Sequence, residues 1–357
     1  FILECATPPN IYLDPAICRG PSSAWCQMLR QLKSFILVCR VWRDVGTNIL
    51  YRCVVIRRFG QIPALLRTLQ GDPKLGPMIH ELQIRCFVPR GYSTVFEQAL
   101  AQLWPLCPST TRLSLDHPMD DPHHEFPSVM DSILPSIVDL EIGPDCCFQR
   151  ALPSLLQCTG LVALSVHFLE SMDGADDVPF VLLASLEELH VTWNDRPFQS
   201  QNTIISAIIS DRCIMPRLKR LTLVLLTQFP QPPMLASAST FYNPLIRAHG
   251  ERLTYLSICF LSISYSNPIV PANKEIQSYL DLCPSLQHFS TGGHTGALGL
   301  SHPKLEYLDV WIDSLPSGRC ELSNWQEHLP ALRKIRFLDL ALMGTTGPRL
   351  PLVVPPD

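Results

Sequence analysis

An α/β solenoid is the fold class this chain predicts, and three observations lead there. A phrase of the form Pro-x-Leu-x-x-Leu-x-Leu recurs in ten degenerate copies, among them Pro284–Phe289, Pro303–Val310 and Pro330–Phe337. The central apolar residue of each copy returns at a mean interval of about 28 residues between Leu82 and Ile335. Proline stands five positions before that anchor in seven of the ten copies. A period of this length means one supersecondary unit stacked on its neighbours, because a single unit cannot bury its own apolar face.

The anchors are Leu82, Leu113, Leu140, Leu164, Leu189, Leu221, Leu256, Phe289, Leu308 and Ile335. Two residues further on stand Ile84, Leu115, Ile142, Val166, Val191, Leu223, Ile258, Thr291, Val310 and Phe337. Polar residues alternate with both rows, which is strand spacing with one face buried. Three residues before each anchor is another apolar row, Ile79 to Leu332, broken only by Thr110. The prolines Pro77, Pro108, Pro135, Pro216, Pro284, Pro303 and Pro330 end whatever helix precedes them and favour extended chain. Helical stretches are expected before several of them: Val95–Trp104, Asn202–Ser210, Pro244–His249, Lys274–Leu282 and Leu322–Leu329. Each unit therefore reads as helix, proline stop, short turn and strand.

The interval matches leucine-rich repeats, roughly 20–29 residues per unit. The chain resembles that class, which implies a horseshoe with parallel strands on the concave face and helices on the convex face. About ten such units are expected over residues 57–340, with a loose tail over 341–357. One position before the proline site come Cys107, Cys158 and Cys283, where other copies carry Leu134, Leu183, Met215 and Leu329. These cysteines read as small buried hydrophobes. None of the fourteen cysteines forms a Cys-x-x-Cys pair, so a reducing compartment, cytoplasm or nucleus, is expected rather than a disulfide framework.

Net charge is −4 with 17% charged residues, which argues against a nucleic-acid footprint. The apolar runs are all too short for a membrane helix. Gly-x-Ser-x-Gly, P-loop and dinucleotide motifs are lacking, and Gly292–Gly296 reads as a turn. His117, Asp120, Asp121, His123 and His124 crowd one loop but lack a recognised ligand spacing. No enzyme, cofactor or metal is expected.

The first seventy residues differ in composition. Phe1–Ala6 reads as the end of an amphipathic helix, and residues 7–23 are rich in Pro, Gly and Ser. Trp25–Trp42 is apolar at helical spacing, Asp44–Tyr51 can add a further turn or two, and Cys53–Ile56 is strand-like. The run LVCRVWRDVGTNILYRCVVI, Leu37–Ile56, resembles the second half of an F-box, and FILECATPP, Phe1–Pro9, resembles the end of its first helix. Together with the repeats, this resembles the large family of fungal (basidiomycete-type) F-box proteins with degenerate leucine-rich repeats. The chain opens on Phe1 rather than methionine, inside that first helix, so the module at residues 1–56 reads as truncated at its amino end, with an insertion at 7–23.

The resemblance implies a non-catalytic substrate receptor of an SCF-type ubiquitin ligase. The F-box would dock on the SKP adaptor, and through it cullin, by Phe1, Ile2, Leu37, Val38, Val41 and Trp42. The repeat array would hold a target protein. In such an array the residues flanking each anchor point outward. The densest late set is Tyr255, His288, Tyr307, Asp309, Trp311 and Arg336, expected as the target-binding patch because aromatics and arginine dominate hot spots. An earlier set is His167, Glu188, His190, Thr192 and Trp193. Two other readings remain open: an interaction scaffold without ligase association, and a horseshoe activator of small GTPases, for which no acidic run is present.

Overall fold

The structure, a computed structural model, describes residues 24–89, 91–116, 130–143, 148–168, 180–195, 212–227, 243–262, 273–292, 300–312 and 325–339. Expectations for residues 1–23, for Asn202–Ser210, for the loops 117–129, 230–240 and 313–319, for 293–296 and for the tail lie outside these residues. The chain parts after Cys146 into two compact units.

The first unit opens with a helical hairpin, α1 (Ala24–Phe35) and α2 (Arg40–Arg52). The apolar run through Trp42 predicted one continuous helix; the chain instead turns at Ile36–Cys39. The reason is tertiary. Phe35 meets the Trp42 ring edge-on at 5.5 Å. A Cβ at Gly46 would come within 2.7 Å of Ile36 Cγ2, so glycine lets the two helices close on each other. The unit continues with β1 (Cys53–Ile56), α3 (Gln61–Gly71), β2 (Glu81–Ile84), α4 (Ser93–Leu103), β3 (Arg112–Leu115), α5 (Met130–Ile133) and β4 (Asp139–Ile142). The four strands are parallel and lie in chain order. Val54 of β1 stands beside the anchor Leu82, so the last segment of the expected amino-terminal module is itself the first strand of the stack.

The second unit holds α6 (Phe148–Leu155), β5 (Ala163–Phe168), β6 (Val181–Leu182), β7 (Glu188–Asp195), β8 (Cys213–Ile214) and β9 (Arg220–Thr227). It goes on through a helix at residues 243–249 (α7), β10 (Tyr255–Ser262), α8 (Asn273–Asp281), β11 (His288–Gly292), β12 (Tyr307–Ile312), α9 (Trp325–His328) and β13 (Lys334–Asp339). Strands β5, β7, β9, β10, β11, β12 and β13 pair in parallel in that order, and β6 pairs separately with β8. The class is α/β, with parallel strands, and neither sheet closes into a barrel among the described residues.

The repeat register is met at every junction within a unit. Leu164, Leu189, Leu221, Leu256, Phe289, Leu308 and Ile335 are direct cross-strand neighbours. All but Ile335, on the last strand, are buried. The carbonyl two residues before an anchor accepts two N–H bonds from the next strand, as His80 does from Thr111 and Arg112; this recurs eight times. In nine copies the N–H three before the anchor donates to the carbonyl six before it, closing a four-residue turn. Proline, where present, is the second residue of that turn, where its fixed φ suits the geometry and no N–H is needed.

The first residue of the turn forms a buried ladder: Cys107 and Leu134 in the first unit; Cys158, Leu183, Met215, Cys283 and Leu329 in the second. Burial pushes the Cys107 thiol up to about 11 and those of Cys158 and Cys283 to about 12, so they behave as the apolar fillers expected. The nine described cysteines are all free thiols. His302 occupies the same rung. Its Nδ1 accepts from the Lys304 N–H at 3.3 Å, so Nε2 carries the proton and donates to the Cys283 carbonyl at 3.0 Å.

Candidate functional site

Two places concentrate the residues singled out from the sequence. The first is the turn between α1 and α2. Leu37, Val38 and Val41 are 79%, 63% and 69% exposed, and Val45 one turn along is also open to solvent. Val45, absent from the sequence-based set, lies one turn along α2 from Val41 and extends the exposed apolar edge. Trp42 faces the other way, half-buried against Phe35, as part of the hairpin's own core. Phe1 and Ile2 lie outside the described residues. Behind the hairpin, Arg57 stacks over the Trp25 ring at 4.3 Å, tying α1 to the residue that follows β1.

The second place is the outward strand face of the second unit, opposite the anchors. Register makes Tyr255, His288, Tyr307 and Lys334 one row on four successive strands. The Tyr255 and His288 rings meet edge-to-face at 4.9 Å, and His288 and Tyr307 lie 5.8 Å apart. Asp309 sits diagonally from His288 and directly across from Arg336. Arg336 grips it through two hydrogen bonds of 2.7 Å, Nε to Oδ1 and Nη2 to Oδ2. His288 Nε2 lies 2.8 Å from Oδ2. Burial alone would raise the Asp309 carboxyl; the hydrogen bonds from His288 and Arg336 outweigh it and hold it below the usual range. The same contact pushes Arg336 up. Burial likewise drives the Tyr255 hydroxyl well above its ordinary value.

All six residues of the late patch therefore converge, but not as exposed residues. Asp309 is 3% exposed and Trp311 only 1%. The expectation that both point into open solvent is corrected. Trp311 stands opposite Gly292, where no side chain competes for space, and its indole N–H reaches back to donate to Ser290 Oγ at 3.0 Å. Asp309 is enclosed by Arg336 and His288, the two hydrogen-bond donors that meet its carboxylate. Tyr255, His288, Tyr307 and Arg336 remain half-buried and reachable. The earlier set is corrected too: His167, His190, Thr192 and Trp193 are buried, with His190 Nε2 3.0 Å from Thr192 Oγ1. Glu188 pairs with Arg220 at 2.9 Å.

The sequence signal for this burial is present but easily passed over. Leu223–Leu226 and Ile258–Leu261 are unbroken apolar runs, where β2, β3 and β4 alternate. An unbroken run marks a strand covered on both faces. Among the described residues no group of His, Cys, Asp and Glu is arranged to hold a metal, and no helix is long and apolar enough to cross a membrane. No family model matches this chain, and no curated protein resembles it in sequence.

Proposed function

We propose that this protein is a substrate-recognition subunit of an SCF-type ubiquitin ligase, built as an F-box-like hairpin leading into a leucine-rich-repeat horseshoe. The observation that carries the reading is the exposed edge of Leu37, Val38 and Val41, lying within the F-box-like run Leu37–Ile56. Three large apolar side chains left open beside a helical turn are an unfinished interface. Docking this edge into an apolar groove of an SKP adaptor would complete it by helix-in-groove recognition. The strand face of the second unit, with Tyr255, His288, Tyr307 and Arg336 as its reachable part, would hold the target protein. The contribution to ubiquitin transfer would be proximity, placing target lysines near the charged carrier enzyme, with no covalent step on this chain. Work in the cytoplasm or nucleus goes with the abundance of free thiols.

Binding to an SKP adaptor, measured by calorimetry, tests this. The chain should bind, and Val38→Asp with Val41→Asp should weaken binding about tenfold or more, above 1.4 kcal/mol. Both positions are exposed, so the variant should fold. Equal binding by the variant, or none by the parent chain, would leave a repeat scaffold without ligase association.

A further inference from the structure

The clamp on Asp309 fixes more than its own position. A carboxylate accepts hydrogen bonds and cannot donate them. The 2.8 Å contact from Oδ2 to His288 Nε2 therefore places a proton on Nε2. In the neutral ring the other nitrogen, Nδ1, is then an acceptor. Nδ1 makes no hydrogen bond among the described residues, and the His288 side chain keeps 15% of its surface open. The half-buried ring sits on the strand between Tyr255 and Tyr307, whose rings flank the imidazole. The ring has little freedom to turn away: edge-to-face packing on one side and the buried carboxylate below fix its plane.

We propose that Asp309 is a positioning residue, which holds His288 as its Nε2–H tautomer and presents Nδ1 as a hydrogen-bond acceptor on the strand face. This point of the face takes a hydrogen-bond donor set between two tyrosine rings, of which an arginine-type guanidinium is the best-matched class. Its planar N–H groups can reach Nδ1 while its face lies against an aromatic ring. Arg336 contributes by keeping Asp309 ionised and oriented. Trp311 contributes by filling the space over Gly292, so that β11 and β12 hold their spacing beneath the rings. The assignment of the donor to a target protein rests on the proposed receptor function. The tautomer does not.

Nitrogen-detected NMR of histidine-labelled protein separates the two. His288 should show an unprotonated Nδ1 and an Nε2 proton protected from exchange, and Asp309→Ala should lose that protected proton. A protonated Nδ1 in the parent protein, or an Nε2 proton exchanging as freely as in an exposed histidine, would overturn the positioning role. The parent measurement decides the matter even if Asp309→Ala fails to fold. Titration with methylguanidinium then tests the acceptor site: the Nδ1 resonance should shift saturably together with the Tyr255 and Tyr307 ring signals. No saturable shift, or the same tyrosine response in His288→Phe, would overturn it while leaving the tautomer standing. Loss of the receptor function with both NMR results intact would instead mean that the donor comes from some other ligand.

Discussion

The two units carry the same buried rows and differ in how much apolar side chain their outward faces enclose. In the first, strands are four residues long, and β2, β3 and β4 alternate polar with apolar residues, as in Arg112–Leu115 and Asp139–Ile142. Their outward face is an ionic lattice: Arg112 bridges Glu81 at 3.2 Å and Asp139 at 2.8 Å, and Arg85 reaches across to Glu141 at 3.5 Å. In the second, strands run up to eight residues, and the outward face buries Val224, Cys259 and Trp311 beside its polar groups. A repeat phrase thus dictates one face of each strand and leaves the other free to enclose either paired charges, as with Arg85 and Glu141, or apolar side chains such as Val224, Cys259 and Trp311.

That contrast can be broken by mutation. Trp311→Ala should destabilise the second unit by about 3–5 kcal/mol, as for a buried aromatic. Arg112→Ala on the first unit's face, 41% exposed at its side chain, should cost less than about 1 kcal/mol. Denaturant melts of the two variants that came out equal would erase the distinction. The anchor rows should behave alike: Leu308→Ala and Leu82→Ala should each cost about 2–5 kcal/mol, read from the same melts. An unchanged melt for either would break the repeat register.

Acid should act on the second unit. Burial, with Arg252 adding to it, lowers His249 from 6.5 to about 4. Between those values the unfolded chain binds a proton that the folded chain excludes, so stability falls as pH falls from 6.5 to 4. The loss for the second unit should reach about 3 kcal/mol. His249→Phe should flatten that slope in a pH series of melts. The clamped Asp309 acts lower down: its carboxyl is depressed, so its contribution is present above its unfolded value of 3.8 and lost as pH drops below it. The smallest effect is a gain. Thr291 occupies the plus-two row with its hydroxyl buried and without a hydrogen-bond partner among the described residues. Thr291→Val should stabilise by about 1 kcal/mol; a loss would show that the hydroxyl is satisfied.

Much of the fold was legible because its signals are local. Within each unit the anchor spacing placed the strands in the right register, and the proline position placed the turns. The break between α1 and α2 was not legible, because it depends on Ile36 meeting Gly46 and Phe35 meeting Trp42. The six residues of the late patch do converge, but the sequence misjudged which of them stand in the open.

The sequence by itself determined the stack: period, alternation and the turn-opening ladder of Cys107, Cys158 and Cys283 are properties of each segment read alone. Only the tertiary structure decided what the outward face became. Side chains one row apart on neighbouring parallel strands lie about 4.8 Å from each other. Whether Asp309 stays in water or is enclosed therefore depends on Arg336 and His288, which are distant in the chain. Whether Trp311 projects or folds down depends on a missing side chain at Gly292.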